Sequence, residues 1–113
     1  MIEKIIMDYL NSAQSIPAMV ERTTNTDTLY LIQKTGSRTL NRICTATVAI
    51  QSYAKSRYLA AELNKNLIHL MDQAPKESNI SSVKLNSDYD YTDTTTKEYR
   101  YQAVFLITYF EEV

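Results

Sequence analysis

The reading of the fold turns on residues 80–110: ISSVKLNSDYDY (80–91), TDTTTK (92–97) and EYRYQAVFLITYF (98–110). The first and third stretches alternate apolar and polar side chains with period two, the pattern of strands that bury one face. If Tyr91 faces Tyr99 across the polar link, antiparallel pairing sets Tyr89 against Tyr101, Ser87 against Ala103, Leu85 against Phe105 and Val83 against Ile107. The apolar side chains of that set then share one face. A slip of one residue would scatter them, so the pattern specifies the register. Lys84, Asn86, Asp88 and Asp90 fall on the other face, opposite Arg100 and Gln102. Toward its end the last strand is apolar on both faces, at Val104, Leu106 and Phe110, which predicts cover on both sides by another element or another subunit.

Upstream of this hairpin, residues 42–53 also alternate, with Cys44, Ala46, Val48 and Ile50 on one face and Thr45, Thr47, Ala49, Gln51 and Tyr53 on the other. The period then changes. Leu59, Ala60, Leu63, Leu67, Leu70 and Met71 fall on one helical face, with Ser56 placed to cap the start and Pro75 to close the helix. Residues 28–34 predict a strand with Leu29 and Leu31 opposed to Tyr30 and Ile32, followed by turn chemistry at Thr35, Gly36, Ser37 and Arg38. A short strand is expected over 18–23 and a turn over 24–27. Ile2, Ile5, Ile6, Tyr9, Leu10 and Ala13 make the stripe of an amphipathic helix over 2–13, which Asn11, Ser12 and Pro17 end.

The order is therefore α-β-β-β-α-β-β. It predicts an α+β fold in one domain spanning 1–113, with two helices packed on one face of a mostly antiparallel sheet. The long C-terminal β-hairpin is expected to overhang that sheet. Ile6, Leu10, Val48, Ile50, Leu59, Leu63, Leu67, Leu85, Phe105 and Ile107 are the expected core.

Composition narrows the function. With 113 residues, 44% hydrophobic and 22% charged, the chain has the size and make-up of one globular domain rather than a disordered segment. Twelve Lys and Arg against 13 Asp and Glu leave a net charge of -1, without the basic excess of a protein that holds nucleic acid by its phosphates. The acid at Glu3 disfavours a signal peptide, and no apolar run approaches the roughly 20 residues of a membrane span. A soluble, cytosolically made chain is expected. A single cysteine, Cys44, has no partner for an internal disulfide. Phosphate-cradling loops need several glycines where backbone approaches the anion, and Gly36 is the only one present.

Nothing in the pattern assembles a catalytic site. His69 lies within a helix pattern, three residues before Asp72, and reads as a solvated or packing side chain; Cys44 alternates with core positions and reads as a small buried hydrophobe. One cysteine and one histidine far apart do not make a zinc site. The run from Asp88 to Asp93 resembles a calcium loop in its oxygen content only, since it lacks the turn glycine and the late bidentate glutamate. Glu111 and Glu112 sit at the chain terminus with nothing to shape a pocket. No cofactor, metal or catalytic residue is expected. Nine tyrosines and no tryptophan instead favour contact surfaces, and the residues expected to carry them are Asp88, Tyr89, Asp90, Tyr91, Asp93, Tyr99 and Tyr101 around the hairpin end.

Several strings carry a family likeness: AIQSYAKS (49–56) followed by AAELN (60–64), SVKLNSDY (82–89), and DTTTKEYRYQAVF (93–105). Together they resemble the tail terminator, or tail completion, proteins of long-tailed siphophages and prophages of Gram-positive hosts, and the likeness in length and element order spans the chain. The resemblance implies a small α+β domain that assembles as a hexameric ring. Such a ring caps the last ring of tail tube protein, halts tube polymerisation and presents the surface that joins the head-completion or connector protein. DNA passes through the hole without specific binding, and no cofactor or catalysis is implied. It places the chain in the virion, at the head-tail junction, after assembly in the bacterial cytoplasm and with no membrane involved. A nearly neutral chain suits a channel that must not retain DNA. A second reading, from a different class, is a non-enzymatic cytosolic adaptor that binds a peptide or partner protein at a sheet edge. A hydrolase using His69 with Cys44 or an acid ranks behind both.

Overall fold

The computed structural model describes residues 2–22, 27–77 and 80–110. Helix α1 spans Ile2–Ala13 and buries Ile2, Ile6, Tyr9 and Leu10. Its end is tied down by two amide side chains. Gln14 donates to the carbonyls of Leu10 and Ile16 and accepts from the Ile16 amide. Asn11 both donates to the Ala18 carbonyl (3.0 Å) and accepts from the Ala18 amide (2.9 Å), so its side chain holds the strand that follows. That strand, β1, is shorter than expected: it covers only Ala18–Met19 and pairs in parallel with Tyr30 and Leu31. Residues 23–26, and with them most of the predicted turn at 24–27, lie outside the described residues, as do Glu111 and Glu112.

Strands β2 (Leu29–Leu40) and β3 (Ile43–Ala54) form an antiparallel hairpin. The turn predicted at residues 35–38 is instead strand. The chain reverses at Asn41 and Arg42, both at positive φ (52° and 67°), the conformation of a tight two-residue hairpin turn. Asn tolerates that region, and the later reversal lets five more pairs form, from Gly36↔Thr47 to Leu40↔Ile43. What looked like turn chemistry is a β-bulge between Lys34 and Gly36, where Thr35 turns its hydroxyl to the Thr47 carbonyl.

Helix α2 spans Arg57–Glu77. Ser56 caps it, its Oγ accepting from the Leu59 amide at 3.2 Å. Pro75 lies inside the last turn rather than beyond the helix, where its missing N–H removes only one bond. The buried stripe is Ala60, Asn64, Leu67, Met71 and Ala74. Leu59, expected in the core, is 47% exposed. The helix is rotated so that Asn64 takes the central position, where its amide donates to Asp88.

Strands β4 (Ile80–Asp90) and β5 (Tyr99–Phe110) complete a five-stranded sheet in the order β1-β2-β3-β5-β4. Apart from β1, every neighbouring pair is antiparallel. The fold is the α+β arrangement expected, with both helices on one face. The core lies there: Ile32, Val48, Ile50, Ala103, Phe105 and Ile107 meet Ile6, Leu10, Leu67 and Met71.

The register of the last hairpin is correct at one end only. Leu85 stands opposite Phe105 and Val83 opposite Ile107, as predicted, but a bulge at Asn86 shifts the rest. Ser87 then pairs with Val104, Asp88 with Ala103, Tyr89 with Gln102 and Asp90 with Tyr101. Leu85, expected in the core, lies on the outer strand next to this bulge and stays 40% exposed.

Candidate protein-interaction site

The bulge at Asn86 decides which side chains the hairpin end presents. Without it, Tyr89 and Tyr91 would share the helix-side face with Tyr99 and Tyr101. With it, Asp88 and Asp90 take that side. Asp88 accepts from the Asn64 amide at 3.0 Å, and Asp90 pairs with Arg57 at 2.9 Å. Tyr89 and Tyr91 turn to the open face of the sheet, each 43% exposed, and meet edge to face with ring centres 5.9 Å apart. Tyr99 and Tyr101 keep the parity of Ala103 and Phe105 and are half-buried. The seven candidate residues thus divide between two faces and the turn.

The link itself is an ordered turn. Asp93 and Glu98 form a bridge closed by Asp93 N–H donating to the Glu98 carbonyl at 3.1 Å. Asp93 Oδ1 accepts from the amides of Thr95 (2.9 Å) and Thr96 (3.4 Å), and these bonds hold its carboxyl below the usual range. The Thr92 hydroxyl and amide do the same for Asp90, with Arg57 adding a smaller pull. The expected overhang is slight: β3 and β5 stay paired to Ala54↔Tyr99, and only residues 91–98 extend past them. Even this tip is held to its own domain, since Arg22 forms an ion pair with Glu98 and lies over the Tyr53 ring at 4.8 Å.

A connected array of amides, phenols and guanidinium fixes the open face at this end. Tyr53 Oη donates to Gln51 (2.9 Å), Gln51 Nε2 donates to Gln102 (2.9 Å), and Gln102 Nε2 donates to the Tyr89 hydroxyl. Arg100 donates to Tyr53 Oη (3.0 Å) and to the Tyr91 carbonyl (2.8 Å), with its guanidinium 4.8 Å from the centre of the Tyr91 ring. Tyr89 and Tyr91 are therefore exposed yet held, so a contact there would order little that is not already ordered.

At the other end the open face becomes apolar. Leu40 (60% exposed), Ile43 (44%) and Phe110 (64%) adjoin on it, in the pairs Leu40↔Ile43 and Ile43↔Phe110, and Leu106 (37%), opposite Thr47, is exposed further along the same face. Beside them a shallow concavity of about 500 Å³ is lined by Gly36, Arg38, Leu40, Ile43 and Thr47 among others. The cover predicted over Val104, Leu106 and Phe110 does not come from the described residues. The strand register puts no Asp or Glu on the open face of β2–β5, whereas Arg38, Lys84 and Arg100 lie there. Leu40 and Ile43 were missed as site residues because the turn was placed before them; alternation continued through residue 40 is the signal that finds them.

Cys44 is buried on β3, within 3.3 Å of the Thr39 hydroxyl, while His69 is exposed on α2. No group of three or more His, Cys, Asp or Glu close enough to hold a metal occurs among the described residues. Among them no helix is long and apolar enough to cross a membrane. No protein-family model matches the chain, and neither does any curated protein.

Proposed function

We propose that this chain is a tail-terminator-like ring component, a structural virion protein and not an enzyme. It would cap the phage tail tube, stop its polymerisation and offer the surface that joins the head. Its partners are then further copies of itself, the tail tube protein and the head-completion protein, with DNA passing through unheld. One observation carries the reading: strands β2–β5 put no acid on the open sheet face, which holds Tyr89 and Tyr91 by hydrogen bonds and a cation–ring contact and leaves Leu40, Ile43, Leu106 and Phe110 in solvent. Exposed apolar side chains at one end of a sheet face and ordered tyrosines at the other are the composition of a protein contact. The resemblance of residues 49–64, 82–89 and 93–105 to tail terminators supplies the kind of contact.

The adaptor reading has one observation of its own: among the described residues β2 has no neighbour on its outer side from Gln33 to Leu40. A peptide strand could add there. Tail assembly separates the two readings. Tails made with Leu106→Asp and Phe110→Asp together, or with residues 92–97 replaced by Asn-Gly, are expected to carry overlong tubes that fail to join heads in electron micrographs. Tubes of normal length on joined heads, made with both folded variants, would reject the ring reading.

A further inference from the structure

Among the described residues the sheet has two free edges, and they differ in charge. From Gln33 to Arg42 the described chain carries Lys34, Arg38 and Arg42 and no acid; these cations make no ion pair among the described residues. From Lys84 to Asp93 the other side of the sheet carries Asp88, Asp90 and Asp93 against the single cation Lys84, with Asp90 also paired to Arg57 of α2. Both segments are exposed over Gln33–Leu40 and Lys84–Asp90. We infer that the free edge of β2 pairs with the free edge of β4 of a second copy of this chain.

Several features favour that occupant. β2 and β4 run in opposite directions within the sheet, since β2–β3, β3–β5 and β5–β4 are each antiparallel. Copies in the same orientation can therefore join edge to edge as antiparallel pairs. Such a contact is heterologous, and repeating it gives a ring if the rotation closes and a filament if it does not. The charges select it. Joining two β2 edges would bring cations together and joining two β4 edges would bring acids together, so only the mixed pair attracts.

The bulges suit one register. With Thr35 set aside, Lys34 meets Asp90 on the helix side, Gly36 meets Tyr89 on the open side, and Arg38 meets Ser87. Gly36 has nothing within 4 Å of where a Cβ would stand, and an aromatic ring opposite an edge glycine fills that gap. Arg38 is then diagonal to Tyr89, within reach of its ring. The inference deepens the ring reading and rests on it for what the assembly does; the pairing is tested without phage components.

Sedimentation of the purified chain over a range of concentration and salt is expected to show association that weakens as salt rises. Lys34→Glu with Arg38→Glu should weaken it at least tenfold, as should Asp88→Lys with Asp90→Lys. Mixing the two variants should restore assembly, because each reversed edge then faces its complement. Since the second variant also loses the bonds to Asn64 and Arg57, cross-linking provides a check that leaves those bonds intact. In a Cys44→Ser background, Arg38→Cys chains should form disulfides with Ser87→Cys chains, and neither should do so alone. A chain that stays monomeric, reversals without effect, or cross-links no faster in the mixture overturns the edge pairing. Normal tube length in the tail assay overturns the ring reading, and the two failures are separate measurements.

Discussion

Asp88 stands opposite Ala103 and accepts a hydrogen bond from the Asn64 side chain at 3.0 Å, joining the outer strand to the middle of α2. Asn64 is only 3% exposed, and its Oδ1 is buried without a partner among the described residues. Asp88→Ala would leave the amide nitrogen unpaired as well. The expected cost is about 1–3 kcal/mol in urea unfolding, the penalty of a buried polar group that loses its partner. Asp88→Asn, which keeps an acceptor, should recover part of it.

Core truncation should separate residues that the alternation pattern treats alike. Phe105 is 1% exposed, and Phe105→Ala is expected to cost about 3–5 kcal/mol through lost transfer energy and the cavity left behind. Leu59 is 47% exposed, and Leu59→Ala should change stability by less than about 0.5 kcal/mol. Comparable losses for the two in chemical denaturation would contradict the rotation of α2 described above.

Tyr30 makes the fold sensitive to alkali. Its hydroxyl donates to the Leu63 carbonyl at 3.2 Å, and burial pushes its pKa up to about 12 from 10.0. The folded state favours the neutral phenol, so the contribution to stability is complete below pH 10 and is lost as pH rises toward 12. Ultraviolet titration should show Tyr30 ionising late, as a component lost in Tyr30→Phe, close to the pH at which the fold is lost. Tyr30→Phe should delay alkaline unfolding; an unchanged profile would remove Tyr30 as its cause.

Arg42 occupies a left-handed position, φ 67°, where glycine is usual in a two-residue hairpin turn. Arg42→Gly relieves backbone strain of about 1 kcal/mol and should raise the unfolding midpoint. Arg42→Val, with a branched Cβ at the same φ, should lower it. Thermal melts of the two variants check the sign directly.

The element order was legible because each segment's periodicity is local. The stripe from Ile2 to Leu10 and the alternation of Cys44, Ala46, Val48 and Ile50 both reappear as buried faces. Ser56 was recognisable as a cap because capping involves only the next turn. The inner pairs Leu85↔Phe105 and Val83↔Ile107 followed from matching apolar faces. Of the candidate site, Tyr89 and Tyr91 are 43% exposed on the face opposite to the one that uninterrupted alternation assigns them.

Tertiary structure decided the rest, where one residue's position depends on groups distant in the chain. The extra residue at Asn86 is invisible in an alternating pattern, since a shifted register alternates equally well. It is supported by what each face then meets: Asn64 and Arg57 receive the aspartates, and Gln102 and Arg100 receive the tyrosines. The same dependence places Asn64 rather than Leu59 in the core and carries β2 past Gly36 to Asn41. Local periodicity thus determined which segments are helix and strand. The faces they turn outward were set by long-range pairing, because a single bulge or a small helix rotation redirects side chains without altering the pattern along the chain.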